Sequence, residues 1–97
     1  MTDSVRHHSD SVAPQGPGAA ASLLEPALAA VAGADAFPVS LTLDYGRAIA
    51  AGESVTVEAW IDRATRTLVF AYGRVLRRAD GALLASGAAL FRRAASA

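Results

Sequence analysis

The sequence predicts an α+β domain in which one apolar helix is carried on an antiparallel sheet of about four strands. Three observations lead there. Between Ala19 and Ala34, Ala20, Leu24, Leu28 and Val31 fall on one stripe at the three-to-four-residue spacing of a helix. After Pro38 the apolar period changes to two. Asp80-Gly81, between two apolar runs, marks a hairpin.

In order, residues 1 to 16 are polar and then punctuated by Pro14 and Gly16, with no periodicity that could bury a face, so they are expected to form a flexible tail ahead of a domain over 17–97. The helix should end near Gly33, a residue suited to positive φ at a helix C-terminus. Pro26 leaves two possibilities: a kink there, or a late start with Ser22 as N-cap and Glu25 as its capping-box partner. Val39, Leu41, Leu43 and Tyr45 alternate with polar residues, as do Val55, Val57, Ala59 and Ile61, and each set predicts a strand with one buried face. Residues 67–77 and 83–91 are apolar on both parities over much of their length, which predicts central or interface strands.

Composition narrows the function classes. The 97 residues include 24 Ala and no Cys, and nine Arg without any Lys balance nine acidic residues. A neutral chain lacks the broad basic face of a nucleic-acid binder. Without cysteine there is no disulfide, thiolate metal site or thiol nucleophile. No apolar run is long enough for a membrane span, and Met1 to Asp10 carries no apolar signal core, so the protein is expected to be soluble and cytoplasmic. A domain this small buries only about two-thirds of its unfolded surface, so a homodimer or homotetramer is expected. Adjacent His7 and His8 read as part of a solvated tail in preference to a metal site. Ser86 has no histidine in the expected folded body to activate it.

Three segments in order carry a family resemblance. GAAASLLE at 18–25 is similar to the latter part of an HGGxxxxLL(D/E) pattern. Tyr45-Gly46-Arg47-Ala48 resembles a "YLRPA" strand end, and DGALLASGAALF at 80–91 is close to "DGRLVATGTATF". Together they resemble the hotdog-fold thioesterases of the phenylacetic-acid-degradation (PaaI-like) type over roughly residues 16 to 93.

That resemblance implies a sheet wrapped around the helix, sites at subunit interfaces, and hydrolysis of an acyl-CoA or acyl-carrier thioester without a bound cofactor. By position Glu25 matches the catalytic carboxylate, a general base or nucleophile. It is also the one acidic residue in the helix's apolar body, where desolvation would raise its proton affinity. Arg47 is a candidate for coenzyme phosphates. Counting back from Glu25, the residue whose N–H should polarise the thioester carbonyl is Pro17, which has none, leaving Gly16 or Gly18 as the nearest donors. Few residues precede the motif, so the first strand of the family pattern is expected to be missing. The rival expectation is a non-catalytic hotdog domain that binds an acyl or aromatic ligand or serves as an assembly module. Pro17 favours the rival and Glu25 the enzyme.

Overall fold

The computed structural model describes residues 6–94. It has one helix, α1 (Ala19–Ala32), and five strands: β1 (Arg6–Val12), β2 (Ala36–Tyr45), β3 (Ser54–Ala64), β4 (Leu68–Arg77) and β5 (Leu83–Arg93). All strands join one antiparallel sheet in the order β1-β3-β4-β5-β2. β4 and β5, apolar on both parities, are its inner members alongside β3.

The segment expected to be a flexible tail is corrected by β1. Residues 6–12 pair with β3 from Arg6 opposite Trp60 to Val12 opposite Ser54, and they supply the strand expected to be missing. The sheet therefore has five strands where about four were expected. No apolar alternation betrays β1, because it is held by backbone pairing and polar cross-strand contacts: the Thr56 hydroxyl donates to Asp10 at 3.0 Å, and His8 lies 3.6 Å from Glu58. Residues 1–5 of the expected tail lie outside the described residues.

The helix packs one stripe on the sheet. Ala20, Leu24, Ala27, Leu28 and Val31 are buried against Val55, Val57, Val69, Ala71, Val75, Ala85 and Phe91. Leu24 and Leu28 are essentially sealed from water, and burying each such side chain stabilises the fold by about 1.5–3 kcal/mol. Gly73 and Gly87 face each other across β4 and β5 beneath them, and a Cβ on either would stand 3.1 Å from a leucine methyl of the helix or of β2. The two glycines let the helix approach the sheet closely.

Of the two possibilities for Pro26, the late start at Ser22 does not occur: α1 begins at Ala19 and runs through Pro26. Ser22, whose carbonyl loses its partner, and Pro26 are both exposed, so water can satisfy that carbonyl. The helix stops at Gly33, whose φ of 106° suits only glycine without strain.

The opposite face of the sheet carries no helix. Trp60 lies there, half-buried, with the guanidinium groups of Arg6 and Arg74 at 5.4 and 5.6 Å from its ring and Tyr72 at 5.2 Å. Among the described residues no helix is long and apolar enough to cross a membrane.

Candidate functional site

Chain geometry places the candidate residues around the ends of β2. α1 starts at Gly18 without a side-chain cap, and its first intrahelical bond runs from the Ser22 N–H to the Gly18 carbonyl at 2.9 Å. Ala19 donates back to the Gly16 carbonyl at 3.2 Å, which closes the turn into the helix. The N–H groups of Ala20 and Ala21 precede the first turn's bonds, and the positive end of the helix dipole lies here.

A cavity of about 270 Å³ opens at this helix start, between Gly16, Pro17 and Ala20 on one side and Tyr45, Arg47 and Ile49 on the other. Gly16 lines it; Gly18 does not. Arg47 is exposed, and among the described residues it makes no ion pair. The other arginines near strand ends are dispersed. Arg77 is paired with Glu53 and Asp80, Arg78 lies 3.7 Å from Asp10, and Arg92 and Arg93 sit at the far end of β5, about 30 Å along the strand from Leu84, which holds Arg47.

Glu25 lies about 10 Å further along the helix axis. It borders a second cavity of about 170 Å³, walled by Leu28, Ala29, Ala36, Pro38, Leu41 and Phe91. Two sequence expectations about Glu25 change. The capping-box reading falls, because Ser22 and Glu25 lie well inside a helix capped at Gly18. The desolvation expected among Ala and Leu is also absent within one chain, since Glu25 is exposed on the flank of α1 next to the apolar wall of β2. Each cavity thus holds one part of the expected machinery, and no single cavity holds both.

The body does contain a histidine, contrary to expectation. His7 Nε2 lies 3.0 Å from the Ser9 hydroxyl on β1, but Ser86 on β5 is three strands away, about 14 Å, and remains without a base. Neither His7 nor Ser9 borders the cavities described above. Among the described residues no group of three or more His, Asp or Glu could hold a metal ion. Sequence reasoning missed Ala20, Tyr45 and Ile49 as cavity walls, because nothing in an alanine or isoleucine signals a ligand. Tyr45 alone stood in a segment already singled out, the "YLRPA"-like strand end.

One helix cradled by a five-stranded antiparallel sheet is the hotdog architecture. Residues 17–84 match the family model described as the thioesterase superfamily, and the chain belongs to that superfamily. Among solved structures it is similar to zebrafish thioesterase superfamily member 2, with 20% identity over 92% of this chain and 75% of that one and a TM-score of 0.83. PaaI of the Escherichia coli phenylacetic acid degradation operon matches with 16% identity over 94% and 74% of the two chains and a TM-score of 0.83. Smu.793 from Streptococcus mutans, solved with acetyl-CoA bound, matches with 10% identity over 95% and 83% and a TM-score of 0.81. At these identities the structural likeness speaks for the fold. A search of the curated proteins found no match.

Proposed function

We propose that the protein is a cytoplasmic hydrolase of acyl thioesters, carried on coenzyme A or an acyl carrier, and that each site is assembled between two copies of the chain. One observation carries this reading: the two half-sites lie at opposite ends of β2. The cavity with Glu25 touches Ala36, Pro38 and Leu41, and the cavity with the helix start and Arg47 touches Tyr45. If β2 pairs antiparallel with the β2 of a second copy, the Tyr45 end of one strand lies beside the Ala36 end of the other. Glu25 of one copy then faces the helix start of its partner, and the pairing removes Glu25 from the solvent it meets in a single chain.

In such a site the apolar cavity beside Glu25 takes the acyl group, and the Arg47 rim takes the carrier's phosphate. Glu25 removes a proton from a water that attacks the thioester carbon. The carbonyl oxygen, negative in the tetrahedral intermediate, is stabilised by N–H groups of the helix start and by the helix dipole. The carbon–sulfur bond then breaks, and the thiolate takes up the proton, which leaves a carboxylic acid and a free thiol. Gly16, Gly18 and the first-turn amides of Ala20 and Ala21 are the candidate donors.

A second reading, a non-catalytic acyl-binding module, is favoured by Pro17, which removes an N–H where the family pattern expects one; loss of one such donor costs about 10²- to 10³-fold in rate. A panel of acyl-CoA substrates separates the two. Under the enzyme reading Glu25→Gln abolishes hydrolysis and Pro17→Gly raises it. Binding of acyl-CoA with no hydrolysis in either protein establishes the module instead. Mixing Glu25→Gln with Arg47→Glu chains tests the shared site at subsaturating substrate. Mixed dimers then contain one intact site, and activity returns to about a quarter of the unmodified level. Two inactive parents that stay inactive after exchange would place Glu25 and Arg47 in the same copy's site.

A further inference from the structure

The loop that walls the helix-start cavity, residues 46–53, has no regular secondary structure, yet it must hold Arg47 and Ile49 in place. Its entry is fixed by backbone. The N–H groups of Gly46 and Arg47 both donate to the Leu84 carbonyl, at 2.9 and 3.2 Å, and Gly46 passes so close to β5 that a Cβ would stand 2.6 Å from the Leu83 carbonyl oxygen. Its exit is fixed twice to the chain entering α1: Ala13 donates to the Glu53 carbonyl at 2.8 Å, and Gly52 donates to the Ala13 carbonyl at 2.9 Å.

Between these anchors the tip, Ala48 to Ala51, is tied through the main chain and side chain of Glu53. Glu53 Oε1 accepts the Ala50 N–H at 3.0 Å, while the Glu53 N–H donates to the Ala50 carbonyl at 3.1 Å, so residues 50–53 form a closed ring. The other carboxylate oxygen of Glu53 accepts from Nε of Arg77 on β4. Arg77 also donates from Nη1 to Asp80 at 3.2 Å, and Asp80 accepts the Ala82 N–H at 3.0 Å in the β4–β5 hairpin. A chain of charge-assisted contacts therefore runs from the hairpin turn, through Arg77 and Glu53, to the amide of Ala50 at the cavity loop.

We propose that Glu53 and Arg77 are positioning residues of the thioesterase site, which hold the 46–53 loop so that Arg47 and Ile49 present a fixed wall to the coenzyme. The inference rests on the reading of the helix-start cavity as the coenzyme side of the site. Neither residue borders that cavity, so their effect passes through the loop. Sites carried on loops depend on such supporting contacts, because the loop backbone alone does not fix a side chain closely enough for binding. The pair is suited to the role: both side chains are largely shielded, at 19% and 26% exposure, and the Arg77 guanidinium with the Ala50 amide keeps the Glu53 carboxyl below its ordinary range, so it stays ionised at neutral pH. Arg77 is held more basic than usual by the same contact.

The test uses the full chain with coenzyme A as the probe, read by titration calorimetry, alongside amide exchange resolved by residue. Arg77→Met should weaken coenzyme A binding about fivefold, the order of effect a partly exposed ion pair supports. Exchange at Ala50 should accelerate while the amides of β3 and β4 stay protected. Where hydrolysis is measurable, KM rises by the same factor and kcat stays within about twofold. Glu53→Gln should reproduce the loss, Arg77→Lys should recover part of it, and the double variant Glu53→Gln with Arg77→Met should be no worse than either single one. Unchanged affinity with unchanged exchange at Ala50 overturns the proposal, as does acceleration of all amides together, which would mark plain destabilisation. If the unmodified protein binds no coenzyme A, the coenzyme reading of the cavity falls together with the effect on affinity. Exchange at Ala50 then still decides whether the pair holds the loop.

Discussion

The two edges of the sheet are built in opposite ways. β1 is polar along both faces, with Arg6, His8 and Asp10 reaching across to Trp60, Glu58 and Thr56, and Val12 is its one exposed large apolar residue. β2 leaves Phe37 46% exposed, Val39 53% and Tyr45 67%, and carries one charge, Asp44. An edge strand offers unpaired N–H and C=O groups to any other chain, and charged side chains discourage that pairing. β1 is thus a closed edge, whereas β2 is left open and apolar. The same open edge lies between the cavity of Glu25 and the cavity at the helix start, so under the proposed function assembly and catalysis would depend on one strand.

The largest expected effect follows from charging the open edge. Sedimentation of the unmodified protein at micromolar concentration should give a mass of at least two chains of 9.9 kDa, and Val39→Glu should reduce it to one while lowering thioesterase activity about a hundredfold or more. Val12→Glu, the matching change on β1, should alter neither. Loss of association from the β1 variant and not from the β2 variant would reverse the comparison.

Both edges hang from the same core, so a core lesion should not discriminate between them. Leu24→Ala should lower unfolding stability by about 2–5 kcal/mol, measured by urea denaturation, and amide exchange should rise in β1 and β2 alike. A rise confined to one edge would show that the other is stabilised by something beyond the helix and sheet.

Smaller effects come from the polar contacts that close β1. Asp10→Ala removes the acceptor for Thr56 and the neighbour of Arg78, both at the exposed surface, and should cost less than about 1 kcal/mol without changing the oligomeric mass. The smallest effect is on pH dependence. The carboxyls of Glu53 and Asp80 are held below their ordinary range, Glu53 chiefly by Arg77 and Asp80 chiefly by the Ala82 N–H. A carboxyl with a depressed native pKa contributes stability that is complete above its unfolded pKa and is lost as pH falls through the native one. Stability should therefore be level over about pH 6 to 8 and decline in acid below the usual carboxylate range. Arg77→Met should flatten that acid decline.

Much of this architecture was legible in local pattern. The stripe of Ala20, Leu24, Leu28 and Val31, the period-two runs of β2 and β3, and Asp80-Gly81 each state a periodicity or turn that the backbone must obey to bury its apolar atoms. Glu25, Gly16, Pro17 and Arg47 could be singled out because they stand in motif-like segments. The two cavities could not be read in the same way, because their walls are mostly apolar residues, Ala20, Tyr45 and Ile49 in one and Leu28, Leu41 and Phe91 in the other, brought together from separate segments.

What the sequence determined by itself was the set of elements with strong local signals: one amphipathic helix, four strands with apolar patterns, and a hairpin. Tertiary structure alone decided the rest. RHHSDSV carries no apolar pattern and becomes β1 because the unpaired edge of β3 offers it a hydrogen-bond ladder and polar partners far away in sequence. The helix starts at Gly18 and not at Ser22 because packing Ala19 and Ala20 into the core outweighs a local cap. Glu25 is exposed in a single chain because it stands on the flank of α1 beside the edge strand β2, and no local window of sequence records which strand lies beside which.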